Sequence, residues 1–281
     1  MGNWSEGTIN ANGIKIHYYR TGGDNPPVVF NHGAGDDGLC WTHVAKALEK
    51  DYDVIMPDAR GHGRSASGQG DYSTEARAAD LAGLLQALNL DRPIVGGHSM
   101  GADTSLHFAA AYPDHVRGIF LEDPPIVMPG EILGDGQQTV KVEDFGKMIA
   151  RFLLLFKLMP KPIGTHLARK NSPTYPDDEI IPWINSKKRV SFNFMKAIPL
   201  MAMGSTQDPF GAFKKVPSPI LLFIGDREKM SIVSQETAQE IVKVNDKIEV
   251  LHLEGASHDI RRTRFDGFMP ALQAFLANIY Q

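Results

Sequence analysis

The apolar positions of the chain fall into short continuous runs and longer amphipathic stretches that take turns. Two alternating segments, 8–9 and 14–19, flank Asn10-Ala11-Asn12-Gly13. Asn-Gly between alternating segments is a strong hairpin-turn signal, so the chain is expected to open with a β-hairpin. Apolar runs follow at 28–30, 52–56, 93–95, 119–121, 220–224 and 248–253. Such runs read as strands buried on both faces of a parallel sheet. Between them, 41–48, 74–88, 100–111, 234–242 and 264–280 are amphipathic and read as helices. The alternation predicts an α/β protein with a doubly wound, mostly parallel sheet of eight strands, the hairpin included.

The alternation fails once, over 127–204. That stretch holds helical runs at 145–158 and near 183–195, prolines at 160, 162, 173 and 176, and no convincing strand. It is expected to be a helical cap threaded between the sixth and seventh strands, with 1–126 and 205–281 forming one core.

Composition narrows the function. The 281 residues are 42% hydrophobic and 22% charged, a globular profile, and at this length folding buries roughly three quarters of the unfolded surface. Neither disulfides nor structural metal are required. Twenty-nine Lys and Arg against 33 Asp and Glu are interspersed, without the basic stripe nucleic acid requires. No run approaches a membrane span, and the first residues lack the basic-then-apolar pattern of a signal peptide, so a cytoplasmic protein without nucleic-acid or membrane partners is expected. Cys40 is the single cysteine, which excludes an internal disulfide. No H-E-x-x-H and no cysteine pair is present, so neither metal nor cofactor is expected.

The chemistry gathers around Ile94-Val95-Gly96-Gly97-His98-Ser99-Met100-Gly101. A G-x-S-x-G between a buried strand and a helix lifts its serine onto a sharp turn at the carboxyl edge of the sheet. Ser99 is expected to hold a positive φ, and a side chain at 97 or 101 to collide with neighbouring backbone. A serine hydroxyl needs a base, and His258, just after the last strand, lies at the same edge. The turn His32-Gly33-Ala34-Gly35 after the third strand can aim the Ala34 amide where the Met100 amide also points, forming an oxyanion hole. His32 and His62 are expected to brace loops.

These motifs, with Asp58-Ala59-Arg60-Gly61-His62-Gly63-Arg64-Ser65, resemble the α/β-hydrolase superfamily over nearly the whole chain. The resemblance implies a Ser99 nucleophile, a His258 base and an oxyanion hole from the Ala34 and Met100 amides. Relatives usually place the acid three residues after the glycine that ends the seventh strand, which here is Glu228. The loop 225–233 is about two residues longer than usual, so Asp226 competes, and Asp123, just after the sixth strand, is a third alternative.

Substrate choice is expected in the cap. Phe156, Trp183 and Phe194, with Trp41 of the core, are the candidate substrate-binding residues, and so much apolar, Met-rich surface favours a hydrophobic ester or lactone. Lys187-Lys188-Arg189 reads as a solvated cap surface. The expected activity is carboxylic ester hydrolysis through an acyl-enzyme. The alternative is C–C hydrolysis of a β-diketone or vinylogous acid, with Arg151, Arg169 or Arg189 holding a carboxylate. A non-catalytic ligand receptor on the same fold is the remaining reading.

Overall fold

The computed structural model describes residues 4–128, 131, 133–134, 139–140, 142–204 and 208–281. The expected hairpin is β1 (Ser5–Ala11) and β2 (Ile14–Arg20). At its turn, Asn12 and Gly13 take φ of 47° and 76°. Two successive positive φ values match the right-handed twist of the flanking strands. The apolar runs become β3 (Pro27–Asn31), β4 (Asp53–Pro57), β5 (Ile94–His98), β6 (Ile119–Glu122), β7 (Ile220–Ile224) and β8 (Ile248–His252).

These strands form one eight-stranded sheet in the order β1-β2-β4-β3-β5-β6-β7-β8. Pairing is antiparallel at β1-β2 and β2-β4 and parallel from β4 onward. Alternate residues of each strand serve opposite faces. Val29, Ile55, Val95 and Leu222 meet α2 (Thr74–Ala87), α3 (Met100–Ala111) and α8 (Gln235–Val244) through residues such as Leu84, Leu106 and Ile241. Val28, Phe30, Val54 and Phe223 meet α1 (Thr42–Leu48) and α10 (Phe265–Tyr280) through Val44, Phe268 and Leu272. Strand order reverses around β3 and β5, and the carboxyl ends there open the crevice where this architecture places ligands. A short helix, α9 (Ile260–Thr263), follows the loop after β8.

Between β6 and β7 lie the cap helices α4 (Val142–Leu158), α5 (Lys161–Asn171), α6 (Asp177–Arg189) and α7 (Phe192–Gly204). Two details depart from expectation. The segment expected to be strand-free holds a two-residue antiparallel ladder, Leu133–Gly134 against Thr139–Val140. The single helical run near 183–195 is two helices. Val190 is extended (ψ 132°), and the Ser191 hydroxyl accepts from the Phe194 amide at 3.1 Å, capping a new start. Pro160 and Pro176 sit at the N-caps of α5 and α6, where the lost N–H costs nothing.

Candidate active site

β5 ends at His98 and α3 begins at Met100, leaving Ser99 alone to reverse the chain, at φ 51° and ψ −117°. Such a conformation costs on the order of 1–3 kcal/mol for a residue other than glycine. The surroundings enforce it. The Ser99 amide donates to the Glu122 carbonyl at 2.9 Å, and a Cβ at Gly97 or Gly101 would lie 2.3 and 2.1 Å from the Asn31 carbonyl oxygen. The glycines expected on steric grounds are therefore required by the backbone of β3.

His258 lies in the loop after β8. Its Nδ1 is 2.6 Å from Oδ2 of Asp123, and its ring centroid is 4.5 Å from that of His98, the residue before Ser99. The carboxylate facing His258 is thus Asp123, not Glu228 or Asp226. Glu228 is exposed on a 3-10 turn, Arg227–Lys229. Asp226 turns away, accepting from His252 Nε2 at 2.8 Å and the Gly255 amide at 2.8 Å. Asp123 is fully buried, yet its carboxylate accepts from Ser231 Oγ (2.9 Å), the Ile232 amide (2.7 Å) and the Val233 amide (2.9 Å) besides His258. Donors thus meet both of its oxygens. The extra residues of loop 225–233 fold back onto Asp123, which is why the family's usual spacing misplaces the acid.

Burial alone would lower the pKa of His258. The hydrogen bond and charge of Asp123 outweigh it, and the net direction is upward from the ordinary histidine value. His98 goes the other way, held well below 6.5 by burial and by the charges of His258 and Arg261. Its Nε2 meets the His258 carbonyl oxygen at 3.1 Å, while Nδ1 points where a Cβ on Gly33 would stand, 2.6 Å away. Gly33 therefore lets the turn after β3 cross directly beside Ser99.

That turn is braced as expected by the two histidines. His32 Nε2 accepts from the Ala59 amide at 2.9 Å and His62 Nε2 from the Gly35 amide at 3.0 Å. Their Nδ1 atoms lie 2.8 and 3.0 Å from the carbonyls of Gly33 and Arg60, so both rings are neutral Nδ1–H tautomers. Burial lowers both pKa values, that of His62 to about 3. Ala34, one of the two residues expected to supply an oxyanion amide, packs against the cluster that contains the other, Met100.

The substrate-binding candidates separate. Phe194 shares a cluster with Met100, Tyr72 and Leu153, and its ring stands 4.1 Å from that of His62. Leu153 presses on the turn itself, since a Cβ on Gly35 would meet its Cδ2 at 2.2 Å. Phe156 and Trp183 instead pack with Ala168, Ile180 and Ile184 between α4, α5 and α6, inside the cap. Trp41 is fully buried in the core, 5.1 Å from the Phe30 ring and under the Arg261 guanidinium at 4.2 Å, so it anchors α1 rather than lining a pocket.

The basic run 187–189 is not a solvated surface. Lys187 is buried, donating to the Asp36 carboxylate and, at 3.1 Å, to the Gly35 carbonyl. Arg189 bonds Asp37, and Arg262 bridges Glu179 of α6 (2.6 Å), Asp36 (3.2 Å) and Asp259 (2.6 Å). Asp36, Asp259 and His98 lie within 4.8 Å of one another, and Arg262 supplies the cation between the two carboxylates. Arg169 pairs with Asp177 at 2.9 Å, and Arg151 is exposed on α4. Nothing local to the run signals that Asp36 and Asp37 approach it from the core.

Sheet order, the strained serine and the His258–Asp123 pair at one sheet edge define a three-layer α/β protein with a candidate serine–histidine–aspartate site. The chain belongs to the α/β hydrolase fold family, whose pattern matches residues 26–260. It is 38% identical over 125 residues to an N-formylmaleamate deformylase of Pseudomonas putida, a stretch covering 44% of this chain and 47% of that protein. The chain thus spans about half the length of that relative. It is 28% identical over 260 residues to Lipase 1 of Psychrobacter immobilis, covering 88% of this chain and 76% of the lipase. The crystal structure of an N-formylmaleamic acid deformylase from Pseudomonas putida S16 superposes with a TM-score of 0.78 at 25% identity, over 95% of this chain and all of that one.

Proposed function

We propose that this protein is a serine hydrolase that cleaves a carboxylic ester or lactone of a small to medium hydrophobic compound. The observation that carries the reading is His258, tied through Nδ1 to the buried carboxyl group of Asp123, beside a serine whose backbone is strained onto the sheet edge. Ser99 Oγ attacks the carbonyl carbon as His258 Nε2 takes the hydroxyl proton, and Asp123 stabilises the imidazolium. The tetrahedral oxyanion rests on the Ala34 and Met100 amides. On collapse, the bond to the leaving oxygen breaks and His258 returns the proton to it. Water then repeats the sequence on the acyl-enzyme. The Phe194–Leu153–Met100 cluster favours an apolar acyl or alcohol group.

The test is hydrolysis of short p-nitrophenyl esters, together with fluorophosphonate labelling of Ser99. Hydrolysis persisting in Ser99→Ala overturns the proposal. A second reading has equal support: C–C hydrolysis of a β-diketone or vinylogous acid by the same three residues. Ser99, His258 and Asp123 would serve either bond; of the relatives' names, the N-formylmaleamate deformylase denotes neither ester nor C–C cleavage, while the lipase fits the ester. Turnover of a ring-fission dienoate with negligible ester hydrolysis decides for the second.

A further inference from the structure

The exposed apolar surface is concentrated on the cap helices. Of eleven large hydrophobic side chains exposed among the described residues, nine belong to the cap helices. Single exposed residues of this kind are ordinary, whereas a cluster marks a contact surface. On α4, Met148, Phe152 and Leu155 follow the four- and three-residue steps that align side chains on one face, and Leu158 continues the row. Leu155 is 57% exposed and Leu158 69%. The opposite side of the helix presents Leu153 and Phe156 to the protein interior. A helix apolar on both sides belongs in an apolar setting on both sides, and the described residues cover only one of them. Ile163 of α5 and Leu200 of α7, the helix packed against α4, extend the exposed surface.

Charge identifies the occupant. Among the cap residues whose exposure is described, six exposed Lys and Arg, including Arg169, stand against two exposed acids, Asp144 and Asp177. Lys147 and Arg151 stand exposed on α4 itself, with Lys161, Lys170 and Lys196 exposed on its neighbours. We propose that the outer face of the cap docks the protein on an anionic lipid surface. The apolar side chains enter the headgroup boundary and the basic ones meet anionic headgroups. Among the described residues no helix is long and apolar enough to cross a membrane, so the attachment is peripheral. A second copy of the chain is the poorer occupant, because a two-fold contact through this face sets its basic rim against itself.

The experiment is co-sedimentation of the full chain with vesicles of phosphatidylcholine alone and of phosphatidylcholine mixed with phosphatidylglycerol, at low and high salt. It reads binding whether or not the protein hydrolyses esters, so its failure is separable from failure of the proposed activity. The protein is expected to sediment with the phosphatidylglycerol vesicles, at least about tenfold more tightly than with neutral ones, and less so at high salt. Leu155→Asp with Leu158→Asp, both exposed, should lose binding by about tenfold or more. Lys147→Glu with Lys161→Glu should weaken it by about tenfold and reduce its salt dependence. Either pair should leave hydrolysis of a soluble ester unchanged. Three results would each overturn the proposal: no binding to phosphatidylglycerol vesicles, equal binding by wild type and the Asp variant, or a solution dimer that the Asp variant dissociates.

Discussion

The loops after β6 and β7 both carry an aspartate paired with a histidine, at nearly the same distance, and only one pair belongs to the site. Asp123 accepts from His258 at 2.6 Å and is fully buried beneath three further donors. Asp226 meets His252 at 2.8 Å on a side chain 24% exposed. The residue type and the His–Asp contact are therefore not what distinguishes an orienting acid. The distinction is a position facing the imidazole beside Ser99, held by donors that fix the carboxyl group away from water. The β7 loop still contributes, since it supplies Ser231, Ile232 and Val233 to hold Asp123. One loop presents the acid and the other grips it.

Removing the gripped acid should have the largest effect. Asp123→Asn is expected to lower kcat by on the order of 10⁴, the scale at which a triad loses its orienting carboxylate. The pH profile adds a second reading. His258 accepts a proton only when neutral, and its pKa is raised, so wild-type activity should rise with pH through a midpoint above the ordinary value near 6.5. In Asp123→Asn that midpoint should move downward, because the charge and hydrogen bond that raise it are gone. If Asp226→Asn or Glu228→Gln produced the larger loss of kcat, the comparison would be broken.

Ser231→Ala removes one donor from Asp123 and is expected to lower kcat by about tenfold with KM little changed, the scale of one hydrogen bond to a charged group. Asp226→Asn should act on stability, costing about 1 kcal/mol in denaturant unfolding while ester hydrolysis stays within about threefold. Burial opposes ionisation of Asp226, but the Gly255 amide and His252 prevail and lower its pKa. Its contribution is therefore present at neutral pH and lost as pH falls below the ordinary carboxylate value, so the wild-type and Asp226→Asn unfolding midpoints should converge in acid. Glu228→Gln, on an exposed turn, should change stability by no more than about 0.5 kcal/mol and leave kcat unaltered.

Much of this is legible in the sequence where the constraint is short-range. The elbow is readable because Gly97, Ser99 and Gly101 fall in one five-residue pattern between a recognisable strand and helix, although the clash that demands the glycines comes from β3, and His258 because its loop directly follows a recognisable strand. The hairpin and the alternation of runs follow from side-chain periodicity alone. Glu228 occupies the expected register yet points to solvent, because the longer loop spends its extra residues wrapping Asp123. Trp41 and Lys187 depart from expectation for a related reason. Each owes its burial to partners distant in the chain, Arg261 for Trp41 and Asp36 for Lys187, and no local pattern announces those approaches.

By itself the sequence determined the class of fold, the order of its strands and helices, the strained serine and the histidine brought to the same edge. These are legible in periodicity and turn chemistry, which act between near neighbours. Only the tertiary structure decided which of three carboxylates meets His258, which apolar cap residues reach the elbow, and which basic ones are buried. Those choices depend on contacts between segments a hundred or more residues apart, such as Asp123 with His258 and Asp36 with Lys187, and separation along the chain carries no information about them until the sheet and cap have closed.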